Sequence, residues 1–138
     1  MKKKTCTQYK CDFCGKMKYS KYLMNIHEVY CTLNPNRECR LCILISGKSS
    51  NLSELLKNFP DPKIEYCDGS EAIENIEEIN DGIDKIAKIT ENCPACILSV
   101  LSQKGIHPKD TKFNYQQEIR IFWNDYNYSR DYTLNGYL

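Results

Sequence analysis

Long apolar runs are missing from this 138-residue chain: the longest, Leu41–Ile45 and Ile97–Leu101 with Ser99 inside it, fall far short of the roughly 20 residues that a membrane-spanning helix needs. An export signal is missing as well, because Met1-Lys2-Lys3-Lys4 leads into Thr-Cys-Thr-Gln-Tyr-Lys and not into an apolar stretch. Histidine is scarce, with only His27 and His107. Neither belongs to a His-Glu-x-x-His or His-Asn-His arrangement, and His107, in Gly-Ile-His-Pro-Lys, has no partner readable from sequence, so zinc-peptidase, His-Asn-His nuclease and histidine-base chemistry find no support. Net charge is nearly absent too, at a formal +1. These absences point to a protein of a reducing, cytoplasmic setting with no membrane partner and no catalytic centre of the familiar histidine types.

What the chain does hold is cysteine, nine in all. Seven of them and one histidine fall into pairs: Cys11 and Cys14, His27 and Cys31, Cys39 and Cys42, Cys93 and Cys96. Eight ligands suffice for two tetrahedral Zn2+ sites, one of three cysteines and a histidine, the other of four cysteines. Disulfides are the competing use of such cysteines, but the odd count and the missing export signal argue against them. Cys6 and Cys67 are left over, Cys6 as a possible substitute ligand for the first site and Cys67, in Tyr-Cys-Asp-Gly, as a turn or core thiol. At this length a core gains much from metal staples.

The charge that nearly cancels overall is divided along the chain. From Met1 to Lys48 ten basic residues stand against Asp12, Glu28 and Glu38, an excess of seven positive charges. From Ser49 to Glu91 four lysines face eleven carboxylates, an excess of seven negative charges. Zinc-bound thiolates would add −1 at the first site and −2 at the second. The abundance of Asn, Lys, Ile and Tyr is what an A/T-rich coding sequence produces and suggests a low-GC bacterium, a phage or a mobile element.

Residues 9–31, with Cys11-x2-Cys14, twelve residues to His27 and then Cys31, resemble a C2HC variant of the ββα zinc finger. The resemblance implies a tight turn at Cys11–Cys14 relieved by Gly15, a helix capped by Ser20 and running to about Cys31, and Met24 in the position of the family's core leucine. Thr32–Glu38 reads as turn chemistry ending that helix before Pro35. Cys39–Cys42 reads as a second knuckle, and Asn92 as a helix cap before Cys93-Pro94-Ala95-Cys96, with a helix continuing to about Lys104. A knuckle paired with a Cys-x2-Cys at a helix start looks like a treble-clef site, in which the fifty residues between the halves form an insertion.

Within that insertion Asn51 or Ser53 is placed to cap a short helix through Leu52, Leu55 and Leu56, stopped by Pro60 and Pro62, and Lys63–Cys67 reads as extended. Ile73, Ile76, Ile79, Ile83, Ile86 and Ile89 mark one face of a helix from about Ser70 to Ile89, with a kink or break expected at Gly82. That stripe serves either the chain's own core or a homo-oligomeric seam. Tyr115, Ile119, Phe122, Trp123 and Tyr126 predict a last helix over 114–126, followed by an irregular tail, 127–138.

The expected fold is thus a small, zinc-stabilised α+β protein, mainly helical: a finger over 1–36 and a zinc-tied helical body over 37–138. The expected function is non-catalytic, in nucleic-acid binding or protein adaptation. Lys10, Lys16, Lys18 and Lys21, with Tyr22 and Tyr19 between and beside them, are the candidate nucleic-acid contacts. The alternative is a thiol-disulfide oxidoreductase, because Cys93-Pro-Ala-Cys96 looks like a glutaredoxin or thioredoxin motif. Those folds need a buried strand before the motif and a proline loop after it; an amphipathic helix precedes it here, and Pro108 follows too closely.

Overall fold

A computed structural model describes residues 1–135 of the chain, with side chains as far as residue 127. It is a small α+β protein in which helix accounts for about half of the residues and strand for two small antiparallel pairs. The buried residues fall into two clusters. Cys11, Met24 and Cys31, with Tyr9 against them, form the smaller; the larger runs from Cys39 to Phe122.

The smaller cluster belongs to β1 (Tyr9–Lys10), β2 (Met17–Lys18) and α1 (Lys21–Tyr30). β1 and β2 pair antiparallel, Tyr9 opposite Lys18 and Lys10 opposite Met17. Gly15 closes the turn between them at φ +77°, a left-handed conformation that glycine adopts without strain. Ser20 caps α1 by accepting a hydrogen bond from the Leu23 N–H at 3.3 Å. Met24 is the buried residue of that helix, as the finger resemblance requires.

The body comprises α2 (Arg40–Ser46), α3 (Leu52–Lys57), β3 (Ile64–Cys67), β4 (Ser70–Ile73), α4 (Ile76–Ile89), α5 (Pro94–Gln103), a 3-10 turn at Pro108–Asp110, and α6 (Tyr115–Asn135). α5 is its centre and packs against α3, α4 and α6. Asn51 caps α3, its side chain accepting from the N–H groups of Ser53 and Glu54.

Several expectations need correction. The helix expected from Ser70 starts at Ile76, because Ser70–Ile73 pairs with Ile64–Cys67 as a hairpin. Asp68 and Gly69 lie at φ +50° and +81°, the two positive values that a tight two-residue hairpin turn demands. Ile73 therefore sits opposite Ile64 in a strand, and its agreement with the helical stripe is coincidental. The helix runs through Gly82 without interruption, and the reason for glycine is space: a Cβ there would lie 2.9 Å from Phe59 Cε2 and from Pro60 Cδ.

Ile79, Ile83 and Ile86 are buried in the chain's own core, so the stripe proposed as an oligomer seam is already occupied over those residues. Asn92 is not the cap of α5; Cys93 is, while Glu91 and Asn92 take left-handed values that turn the chain from α4 into it. The last helix extends to Asn135, through most of the tail read as irregular, and the side chains of Tyr128, Tyr132 and Tyr137 lie outside the described residues.

Candidate metal centres

The unit of β1, β2 and α1, called the finger below for its resemblance, places four candidate ligand atoms together. The Cys11–Cys14 turn is pinned by its own backbone: Cys11 N–H donates to Lys16 O at 2.8 Å and Gly15 N–H to Cys11 O at 3.0 Å. From α1, His27 and Cys31, one turn apart, project toward it. Cys14 Sγ lies 3.2 Å from His27 Nε2, and Cys11 Sγ lies 3.9 Å from Cys31 Sγ. Sulphurs about 2.3 Å from a central ion stand about 3.8 Å apart at the corners of a tetrahedron, whereas a disulfide needs about 2.05 Å. All nine thiols are free. Glu28 steadies the turn from α1 by accepting the Asp12 N–H at 3.1 Å.

The second centre is built from two helix starts. Cys39 is the N-cap of α2 and Cys42 its third residue; Cys93 is the N-cap of α5 and Cys96 its third residue. The expected knuckle at Cys39–Cys42 is therefore a helical turn, and the two Cys-x2-Cys pairs are alike. The sulphurs match like with like: Cys39 to Cys93 and Cys42 to Cys96, each at 3.4 Å. In each cluster all four ligand atoms lie within 4.8 Å of one another. Ser49 accepts the Cys39 N–H at 2.7 Å, and Ser50 Oγ lies 3.3 Å from Cys42 Sγ.

Electrostatics shows what such a quartet lacks. All four sulphurs are buried, Cys93 completely at 0% exposure. Cys39 is held far below the ordinary thiol range because the thiols of Cys42, Cys93 and Cys96 donate to it. At Cys42 the bond to Cys39 pushes the thiol up, but the bonds from Cys93 and Cys96 outweigh it and bring it down to about 6. Cys93 and Cys96 are pushed far above the ordinary range, first by their bonds to Cys39 and then by Cys42 and burial. Four buried sulphurs this close do not all ionise on their own; a divalent cation among them would supply the missing attraction.

The finger behaves similarly on a smaller scale. Burial pushes Cys31 up to about 11, while at Cys11 the same burial is outweighed by hydrogen bonds from the backbone of Cys14 and Phe13 and from the thiols of Cys14 and Cys31. His27 lies below its ordinary value, through burial and then the positive charges of Lys16 and Lys18, a direction that favours the neutral imidazole a metal ligand must be.

All eight ligands read from the spacing are thus brought together, and each cluster offers a metal ion four protein donors. Cys6 and Cys67 are exposed and belong to neither. Lys10, Lys16 and Lys21 and the aromatic rings of Tyr19 and Tyr22 are exposed on the finger, and Lys18 is half-buried. His107 is exposed and caps the 3-10 turn, its Nδ1 accepting the Lys109 N–H.

One residue beside the second centre escaped the sequence reading. Arg37, in the turn between the two centres, is buried, and its Nη1 donates to Ala95 O at 3.3 Å and to Ser99 Oγ. An arginine in an Asn- and Pro-rich turn carries no local signal of burial; only the closure of the second site over 54 residues creates it. Comparison with protein-family models, with curated proteins and with solved structures returns no match.

Proposed function

We propose that the chain is a non-catalytic zinc protein whose finger contacts nucleic acid in a reducing compartment such as the cytoplasm. The observation that carries the metal part is the pair of four-donor clusters. Sulphur-rich sets with at most one imidazole suit zinc, and four protein ligands leave no open coordination position for hydrolytic chemistry. The ligand spacing and the ββα arrangement of the finger support its resemblance to the C2HC type.

The nucleic-acid part rests on the finger's surface. Lys10, Lys16 and Lys21 are exposed and Lys18 half-buried in the same β1–β2–α1 unit as exposed Tyr19 and Tyr22. Cations of this kind meet phosphates, and exposed tyrosines offer platforms for bases.

Two other readings are weighed by specific observations. Exposed Phe13, Met17, Leu23 and Val29 on the same finger favour a protein partner instead. The redox reading is weakened at Cys93, which is fully buried and pushed up by its sulphur neighbours, whereas an attacking cysteine needs exposure and a lowered pKa.

The test is fluorescence anisotropy of labelled single- and double-stranded oligonucleotides with the zinc-loaded protein, across about 50 to 200 mM salt. Binding is expected to fall linearly on a log–log plot, and changing Lys16 and Lys18 to Gln together should reduce the slope by about 1 to 2. No binding at the lowest salt would transfer the function to a protein partner.

A further inference from the structure

We infer that Arg37 is the counter-charge of the four-cysteine centre, a positioning residue that makes a doubly anionic metal–thiolate group tolerable inside the body. This rests on the reading that Cys39, Cys42, Cys93 and Cys96 hold a divalent ion.

The argument begins with an anomaly. Arg37 is 9% exposed, and its Nε has no hydrogen-bond partner. A guanidinium keeps its charge in a protein, and a buried charge is costly unless it is paired. Yet among the described residues no carboxylate pairs with it; the ion pairs there are Lys104 with Asp61 and Lys112 with Asp84. Its polar contacts are neutral, the Ala95 carbonyl and the Ser99 hydroxyl.

Both of those acceptors belong to the first turns of α5, where Cys93 and Cys96 sit, and Arg37 itself precedes Cys39 by two residues. The cation is therefore hydrogen-bonded to the helix that carries Cys93 and Cys96 and stands two residues before Cys39 in the chain. One divalent ion and four thiolates carry a net charge of −2, and that charge is the missing partner. Ser99 is itself completely buried and donates to Ala95 O at 2.7 Å while accepting from Arg37, which fixes the guanidinium against α5.

The turn that carries Arg37 is also held rigidly. Asn34 accepts the Arg37 N–H and donates its side-chain amide to Glu28 O, Glu38 N–H donates to Val29 O, and Gln103 donates to Thr32 O. The charge is thus presented by a braced segment rather than by a loose loop.

The experiment compares Arg37→Met, which keeps the apolar stem, with Arg37→Lys, which keeps the charge. Co2+ is titrated against a competing chelator, because its absorption distinguishes a four-sulphur set from three sulphurs and one nitrogen. Arg37→Met is expected to weaken the four-sulphur site about ten- to a hundredfold, as loss of a metal centre's supporting partners does, with the finger site unchanged and with Arg37→Lys recovering part of the loss.

Equal weakening of both sites, no weakening of either, or an equal loss in the Lys and Met variants would overturn the inference. If Arg37→Met does not fold, Arg37→Gln replaces it. Folding of the Lys variant alone would support the role of charge; failure of all three variants would count against it. If the unaltered protein binds no Co2+ at four sulphurs, the underlying metal reading fails instead.

Discussion

Candidate ligands are marked at single residues by short-range spacing, which is why the two clusters were legible. A metal site needs two donors on each of two local segments, and Cys-x2-Cys or His-x3-Cys places them on one turn. Burial then separates the donors. Cys11 and Cys31 are buried, while Cys14 is exposed and contacts His27 at 3.2 Å. Replacing Cys14 with Ser should leave the second centre intact, since none of its ligands lies in the finger. Metal content is expected to fall from two ions to one, and circular dichroism should lose helix on the scale of the ten residues of α1. Retention of both ions in Cys14→Ser would remove Cys14 from the ligand set. What was not legible at this scale is Arg37, whose environment arises only when distant segments meet.

Among the elements, periodicity succeeded where one pattern stood alone and failed where two overlapped. The spacing of Ile76 to Ile89 describes α4 well, but Ile73 extended the same arithmetic into a strand. The Asp68-Gly69 pair was the available signal for the hairpin, because both positions must accept positive φ. A spacing of three was ambiguous in another way at Cys39 and Cys42, fitting a knuckle or a first helical turn equally. The glycine in α4 offers a sharper test. Gly82→Ala improves helix preference by about 1 kcal/mol, but its methyl would meet Phe59 and Pro60 at 2.9 Å, and such overpacking costs about 1–3 kcal/mol. Urea unfolding is expected to show net destabilisation. A stabilised Gly82→Ala protein would mean that α4 does not approach the Phe59–Pro60 segment as described.

For the whole molecule, the two cysteine-rich clusters lie where short helices and turns meet. α2 has seven residues and α3 six, lengths at which isolated helices are marginal. The second centre joins the starts of α2 and α5 and so closes the acidic segment between them, while the finger centre closes a unit of 23 residues, from Tyr9 to Cys31. The finger helix and body are further linked by Arg40, whose guanidinium lies 4.1 Å from the centre of the Tyr30 ring. The most direct test of this account is native mass spectrometry of the protein purified under reducing, non-denaturing conditions. The mass should exceed that of the bare chain by two zinc ions, both lost on acidification as the ligands take up protons. A folded protein carrying no ion would contradict the account.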